Sequence, residues 1–369
     1  MSTYIKARGT TATGWQRPSD WIAIPSIAPG EQVFYGLVAV YNVIGGNRVA
    51  FTFAGNYTVD WGDGSALENV LSGVKAEHSY TYASVSNPTS EGWRQALIKV
   101  IPTGVANITT VNLQQTPTGI SNGRTSQFMD IVMSVPNVTG TNLYIGTNAN
   151  SIGSFTNHRV LERVDIREIG AITSLFNMFA NCSSLQSVPL FNTASVNNMT
   201  SMFVSCISLQ SVPLFNTASV TSMQAMFSGC TFLQSVPLFN TASVTNMPSM
   251  FVSCISLQSV PLFNTANVTS MNLMFNGAGS LYEANFNMAS VTNTTQMFVN
   301  IVSLQKFTAT GLTRGITISG NLLSATEINN FFTSLGTASG AQTIVVTGNP
   351  GAATCDVTIA TLKGFIVTI

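Results

Sequence analysis

The sequence predicts a mainly β protein with a few short helices: an antiparallel β-sandwich, then a solenoid of stacked repeat units, then a small α/β cap. Three observations lead to this prediction. Short apolar runs separated by turn residues fill the first third of the chain. A unit of 24 residues then recurs through the middle. After the repeats, a helix-capping pattern precedes a β-rich run.

The composition excludes several classes of protein. Only 8% of the 369 residues are charged, and 14 basic residues balance 14 acidic ones. A nucleic-acid-binding protein needs a basic face, so none is expected here. No apolar run is long enough for membrane insertion. The N-terminus lacks the basic-then-apolar order of a secretory signal, which predicts folding in a reducing cytoplasm. A chain without net charge is poorly protected against self-association, which indicates an assembly and a homo-oligomer.

Residues 1–31 are expected to form a docking arm. The arm contains Trp15, Arg17 and Trp21 among several prolines. Tryptophan and arginine are frequent anchors of protein interfaces, so these three residues are predicted assembly contacts. In the alternative interpretation, the arm folds back onto its own sandwich. The sequence leaves both possibilities open.

Residues 32–118 are predicted to form the sandwich, because short runs alternate between apolar and polar residues. The predicted strands are Val33–Tyr41, Val49–Phe53, Tyr57–Trp61, His78–Tyr82 and Ala96–Ile101. The segment from Tyr57 to Ser65 (YTVDWGDGS), followed by His78-Ser-Tyr80, resembles the signature of polycystic-kidney-disease (PKD) domains. This resemblance implies an immunoglobulin-like module that acts as a spacer or interaction domain.

The polar residues of this module suggest little chemistry. Asp60, Asp63 and Glu68 could supply oxygen ligands to Ca²⁺. The favoured alternative is a tight turn at Asp63-Gly64 with a local side-chain bond, because such residues are mostly structural in modules of this kind. The chain has only two histidines, His78 and His158, so no Ser-His-Asp triad can be assembled with conviction. We therefore expect no enzyme, no cofactor and no metal centre, and a local packing role for His78.

Residues 161–310 are predicted to be the solenoid, and residues 119–160 its connector and N-terminal cap. A Met-Phe pair recurs every 24 residues from Met178-Phe179 onward, and a cysteine follows each of the first four pairs. A unit this short cannot enclose a core, so successive units must stack.

Within one unit, the spacing of Leu185, Val188 and Leu190 predicts a short strand with Val188 and Leu190 facing inward. Pro189 should make the strand hydrogen bonding irregular. Val196 to Phe203 has apolar steps of three and four, which predict a short helix or 3₁₀ turn.

Three columns of identical residues are interpreted as structural. The cysteines Cys182, Cys206, Cys230 and Cys254 have no neighbouring histidine or second cysteine that would make a metal site. Free cysteine is commonly buried, and the Met-Phe pairs are likewise expected in the core. The asparagines Asn192, Asn216, Asn240 and Asn264 are predicted to form an internal ladder that satisfies turn backbone groups.

The exposed strand face of the array is the predicted contact surface. From Ala171 to Asn300, Glu283 is the only charged residue, so the surface consists of Ser, Thr, Asn and Gln. The predicted contact residues are Gln186, Ser187, Gln210, Ser211, Gln234, Ser235, Gln258 and Ser259. A different hypothesis is ice binding by the threonine column Thr193, Thr217, Thr241 and Thr265, but the intervening prolines disfavour it.

The repeat unit resembles a known family. The segments Phe215 to Met223 (FNTASVTSM) and Met226 to Cys230 (MFSGC) are similar to BspA-like leucine-rich repeats of bacterial surface proteins. The family implies a leucine-rich-repeat-like solenoid that acts in surface recognition and adhesion, without catalysis. This chain departs from the family at Val-Pro-Leu-Phe, where a longer connection is usual.

Residues 311–369 are predicted to cap the last rung. Ser324 and Glu327 form a capping-box pattern that opens a helix through about Leu335. Thr343–Thr347 and Phe365–Ile369 are predicted strands, with a short helix between them at Thr358–Lys363. The segment resembles C-terminal caps of repeat proteins encoded in phage and prophage genomes.

These features together predict a non-enzymatic bacteriophage virion protein: a tail fibre, an adhesin or a capsid decoration. The N-terminal region would bind other virion proteins, and the solenoid would bind a glycan or protein on the host surface. The alternative is an adhesin on a bacterial cell surface.

Overall fold

The computed structural model describes residues 16–42, 47–115, 117–118, 128–141, 143–146 and 160–369. In these ranges the chain is mainly β with few, short helices. Two facing sheets are followed by an array of stacked rungs and a C-terminal cap.

The strands up to the first rung are β1 (Val33–Val40), β2 (Arg48–Ala54), β3 (Tyr57–Asp60), β4 (Glu68–Val70), β5 (Lys75–Ser79), β6 (Asn87–Pro88), β7 (Arg94–Pro102), β8 (Thr110–Asn112), β9 (Phe128–Val135), β10 (Leu143–Tyr144) and β11 (Arg163–Ile169). The later strands are β12 (Glu283–Asn287), β13 (Lys306–Thr310), β14 (Ile316–Thr317), β15 (Gln342–Val345) and β16 (Phe365–Thr368). The helices are α1 (Ala325–Ser334) and α2 (Thr358–Thr361), and 3₁₀ turns lie at Tyr82–Ser84 and Ala352–Thr354.

Two sheets face each other across an aromatic core. One has the order β11-β9-β1-β7-β3-β4, with β6 also on β7, and the other has the order β10-β8-β2-β5. The Phe34 ring of β1 lies 6.2 Å from Phe51 and 5.5 Å from Phe53, both on β2. A Cβ on Gly36 would lie 2.3 Å from the Phe128 ring, so only glycine fits beside β9. The immunoglobulin-like assignment stays a prediction.

Four of the five predicted strands here coincide with β1, β2, β3 and β7. The fifth was expected at His78–Tyr82, but β5 ends at Ser79 and Tyr82 opens a 3₁₀ turn. Sequence reasoning missed β9, which lies inside the expected connector, residues 119–160. This strand is apolar without alternation because both of its faces are buried.

The array begins as an extension of the first sheet. Strand β11 pairs in parallel with β9, which pairs antiparallel with β1. Beyond β11, single parallel bridges link equivalent residues of successive rungs, such as Asn198 to Ser222 and Ser222 to Asn246. The 24-residue period of the sequence therefore corresponds to the step from one rung to the next.

Of the two alternatives predicted for Val196 to Phe203, the short helix is wrong, but an isolated turn with the hydrogen bond of a 3₁₀ turn is present, since the Met202 amide donates to the Met199 carbonyl at 3.3 Å. The apolar residues of this segment are buried as expected, but the left-handed backbone of Ser201, with φ 55°, interrupts any helix. The amide of Phe203 donates to the Met226 carbonyl of the next rung, 2.9 Å away. Isolated turns within each rung therefore reproduce the helical steps of three and four, and further hydrogen bonds join neighbouring rungs.

The inward position predicted for Leu190 is also wrong. In addition, the rungs that contain proline form no strand. Val188 and Phe191 are buried, whereas Leu190 is 62% exposed. Two residues separate the two buried positions, but strand alternation allows only one. The extra residue places the leucine side chain in solvent. Pro189 also removes one backbone hydrogen-bond donor. Strands β12 and β13 form where neither disturbance occurs.

Stacked aromatic rings fill the array. The phenylalanines of the Met-Phe pairs form a continuous column, with Phe203, Phe227 and Phe251 separated by 5.6 and 5.7 Å and tilted by 5°. The methionines are buried beside them. The core role predicted for the Met-Phe pairs is confirmed.

The cap agrees closely with the sequence prediction. The Ser324 side chain accepts a hydrogen bond from the Glu327 amide and caps α1, which ends one residue before Leu335. Strands β14, β15 and β16 form a parallel sheet. Two buried asparagines, Asn321 and Asn349, bond backbone groups of adjacent turns in this cap. Within the described residues, no helix has the length and apolarity needed to cross a membrane.

Candidate recognition face of the array

The solvent-facing side of the predicted strand segments is the candidate site, and it is called the rung face here. It comprises the exposed and half-buried residues of segments 186–192, 210–216, 234–240 and 258–264. In segment 210–216, the buried Val212 and Phe215 anchor the chain to the core. The intervening residues face water and repeat from rung to rung.

The Gln and Ser columns occupy one side of this face, as predicted. All eight predicted contact residues are exposed or half-buried. Among the described residues, none of their side chains has a hydrogen-bond partner. The backbone holds the columns together instead, because the Gln210 amide donates to the Gln186 carbonyl at 3.2 Å. Their amide and hydroxyl groups are therefore available to a ligand.

Other polar columns of the array are occupied by structural hydrogen bonds. The Ser243 hydroxyl donates to the Ala218 carbonyl at 2.9 Å, and the Thr221 hydroxyl donates to the Asn197 carbonyl at 3.1 Å. These bonds link one rung to the previous one. The free Gln and Ser side chains thus distinguish their side of the rung face from this second surface, which comprises the exposed residues of segments 218–221, 242–245 and 266–269.

A column of exposed leucines completes the rung face, and sequence reasoning missed it. The column consists of Leu190, Leu214, Leu238 and Leu262. The L-x-x-L-x-L pattern places these residues inside. The sequence does contain a signal for their exposure. In each unit two residues, Pro and Leu, separate the buried Val and Phe, whereas strand alternation allows only one residue between two inward positions.

The threonine column is buried and the asparagine column is exposed, which is the reverse of the expected arrangement. Thr217 is buried, and its hydroxyl donates to the Asn240 carbonyl at 2.9 Å. The buried position of this column contradicts the ice-binding hypothesis, which needs exposed threonines. Asn216 is exposed, and its Oδ1 accepts from the Ala218 amide at 3.2 Å. The asparagines thus stabilise turns as predicted, but the internal ladder consists of threonines.

The cysteine column has the structural role that the sequence predicts. All four cysteines are buried, and the Cys230 thiol donates to the Phe203 carbonyl at 3.1 Å. Burial raises the pKa of the Cys254 thiol to about 12. Burial raises the pKa of Cys182, Cys206 and Cys230 as well. Thiols of this kind are poor nucleophiles and poor metal ligands at neutral pH.

The carboxylates near the PKD-like motif are engaged by the chain. Asp60 accepts from the Gly62 amide, and Asp63 accepts from the Ser65 amide, which confirms the local turn. Glu68 accepts from the indole of Trp61. Among the described residues, no three His, Cys, Asp or Glu side chains are grouped to hold a metal ion.

His78 bonds and packs locally, as predicted. Its Nε2 lies 2.8 Å from Oδ2 of Asp63, and its ring stacks on Trp61. Burial alone would raise the pKa of Asp63, but hydrogen bonds from Ser65 and His78 outweigh it and lower the pKa.

The predicted assembly contacts Arg17 and Trp21 are engaged inside the chain. Trp21 is buried, with its ring centroid 6.5 Å from that of Trp93. The Arg17 guanidinium lies 2.8 Å from the buried carboxylate of Asp130. These contacts agree with the alternative in which the arm folds onto its own sheets. Trp15 lies outside the described residues.

Sequence reasoning also missed a charge network that joins three parts of the chain. Asp130 of β9 contacts both Arg17 of the arm and Arg163 of the first rung. Arg163 and Arg167 both contact Asp165. Because these charges sit on distant segments, only the fold brings them together. The second histidine, His158, lies outside the described residues.

These features define a mainly β protein with a repeat array that is nearly free of charge. Residues 173–284 and 231–330 match a family described as "Mycoplasma protein of unknown function, DUF285". The matches cover the array and the start of the cap, and they support a BspA-like surface repeat. They begin after the facing sheets and do not bear on the PKD resemblance. The comparison with curated proteins finds no match to this chain.

Proposed function

We propose that this chain is a non-enzymatic structural protein of a bacteriophage virion that displays its array for host-surface recognition. It would be a tail fibre, an adhesin or a capsid decoration. The observation that carries the proposal is the rung face, whose Gln and Ser side chains are unpaired among the described residues. Neutral side chains of this kind suit a glycan or a neutral protein surface, and binding should depend little on salt.

Attachment to other virion proteins belongs to the N-terminal region in this proposal. Arg17 and Trp21 are engaged within the chain, so other groups must make that contact. Leu67, Leu71 and Val105 are large apolar residues exposed on the two-sheet region. These exposed apolar side chains are better candidates for docking than the buried indole of Trp21.

The alternative proposal is an adhesin on a bacterial cell surface. The match to a mycoplasma family favours it, because the matched region is the same repeat array. In both proposals the rung face makes the contact. They differ in whether the chain is attached to a phage particle or to a bacterial cell.

Immunogold labelling distinguishes the two proposals. An antibody against the full chain is applied to purified phage particles and, separately, to intact bacteria that carry the gene. Label on particles is expected for the virion protein, and label on intact cells alone would favour the adhesin. Absence of label from both would overturn both proposals, provided that the antibody detects the purified chain.

A further inference from the structure

The leucine column is a regular apolar strip on the rung face, distinct from the exposed Ile207, Phe232 and Ile255 elsewhere on the array. Its members occupy the same position in four successive rungs and are 62%, 59%, 59% and 72% exposed in chain order. Scattered exposed leucines are normal, but a contiguous apolar surface usually marks an interaction site. Neighbouring rungs of a parallel stack are about 4.8 Å apart, so the strip is roughly 15 Å long.

We propose that the leucine column is the contact surface for a second copy of this chain. The two arrays would pack antiparallel about a two-fold axis that passes between Leu214 and Leu238. Leu214 then contacts the partner's Leu238, and Leu190 contacts the partner's Leu262. The even spacing makes the strip self-complementary, as a two-fold interface requires.

The charge distribution favours a second copy of this uncharged array over a charged partner. Between Ala171 and Asn300, Glu283 is the only charged residue, so no like-charge repulsion opposes the pairing of two arrays. A charged partner would find no opposite charge on this face. The exposed asparagine column, two residues beyond each leucine, can form amide hydrogen bonds across the same axis.

The size of the strip sets the expected strength of the contact. A stable interface buries about 800 Å² on each partner, and four partly exposed leucines supply less than this. The flanking proline and asparagine columns must contribute the rest. We therefore expect a weak, concentration-dependent dimer.

The inference goes beyond the proposed function, because it assigns a separate role to one side of the rung face. The Gln and Ser columns precede each leucine by three or four residues. A contact centred on the leucines and asparagines leaves those columns at its rim. Dimer formation can be measured without any host surface. Absence of a dimer would therefore not bear on whether the chain is attached to a virion or to a cell, or on what it binds.

Sedimentation velocity of the purified full chain over a concentration series tests the dimer. The natural chain should shift from monomer to dimer as concentration rises, and L214E/L238E should remain monomeric. The matched control I207E/I255E places two charges at exposed isoleucines outside the column and should still dimerise. If the glutamate variant loses its far-UV circular dichroism spectrum, L214Q/L238Q replaces it as the test variant.

Disulfide trapping tests the antiparallel arrangement. On a Cys355→Ser background, L190C mixed with L262C should cross-link under mild oxidation, and neither variant should do so alone. Three outcomes would overturn the proposal: a monomer at every concentration, a dimer that persists in L214E/L238E, or efficient cross-linking of L190C with itself.

Discussion

At the scale of single residues, the array depends on left-handed backbone positions that recur twice in each rung. Ser201 and Ser205 have φ 55° and 58°, and the next rung has Ala225 at 51° and Gly229 at 78°. Residues other than glycine adopt this conformation at a cost of about 1–2 kcal/mol. The residue type at the first position changes from rung to rung, so no glycine pattern in the sequence reveals these turns.

Ala225→Gly should stabilise the array by about 1 kcal/mol, because glycine adopts a positive φ without steric cost. The urea midpoint of the full chain should rise. The matched control is Ala218→Gly in the same unit, where φ is not positive. There glycine only adds freedom to the unfolded chain, and the midpoint should fall or stay constant. A lower midpoint for Ala225→Gly would contradict this account of the turn.

Asp63 should contribute a pH-dependent part of the stability. Its pKa in the folded chain is lower than the ordinary 3.8, so the ionised carboxylate stabilises the fold. This contribution is complete above the unfolded-state pKa and disappears as pH falls through the folded-state value. The stability difference between the natural chain and Asp63→Asn should therefore shrink below about pH 4. Thermal melting from pH 2 to 7 measures it, and a constant difference would refute the assignment.

At the scale of elements, the sequence predicts burial better than backbone geometry. Met202, Phe203 and Cys206 are all in the core, as their 24-residue repetition implies. The same repetition cannot show that turns produce the helical spacing, because apolar steps of three and four satisfy both geometries. The exposure of Leu190 was hidden for a similar reason: a single extra residue reverses strand alternation.

The cysteine column gives a prediction at this scale. Four of the five thiols are buried with a raised pKa, and Cys355 is half-buried. In the native chain, Ellman's reagent at pH 8 should react with no thiol other than Cys355, and all five should react after unfolding in guanidinium. Cys355→Ser should abolish the native reaction. Rapid reaction of a second thiol would show that the rungs open more readily than the packing implies.

At the scale of the whole molecule, a buried carboxylate holds three segments together. Asp130 joins the arm through Arg17 and the first rung through Arg163, so the facing sheets and the array share one attachment point. Arg17 was a candidate from the sequence only as an assembly contact, and neither Asp130 nor Arg163 was a candidate. Contacts between charges 113 and 33 residues apart leave no local pattern, whereas the repeat and its cap do.

Asp130→Ala should destabilise the chain by about 2–3 kcal/mol, because two arginines lose their buried partner. Both arginines keep partial contact with water, which reduces the cost. Lys75→Ala breaks a partly exposed ion pair with Glu77 near the surface and should cost about 1 kcal/mol or less. Urea unfolding measures both values. Faster chymotryptic cleavage after Trp21, whose carbonyl accepts a hydrogen bond from Arg17, is expected only in Asp130→Ala, and equal effects of the two variants would contradict the attachment role.

The low charge of the chain is also a property of the whole molecule, because it depends on where along the chain the charged residues lie. Charged residues concentrate at both ends, and the array between them is nearly free of charge. The sequence shows this distribution directly and predicts the Gln and Ser columns of the rung face. Their lack of structural hydrogen bonds could not be predicted, because it depends on which hydroxyls the neighbouring rung uses.

Attachment of the purified chain to host bacteria, measured by flow cytometry, tests the central claim that the rung face makes the contact. The variant Q210E/Q234E/Q258E adds one charge to each of three rungs and should abolish attachment. The control A218E/A242E/A266E adds the same charges at exposed alanines of the second surface and should attach normally. Unchanged attachment of the glutamine variant, with loss in the alanine variant, would place the contact on that second surface and contradict the account.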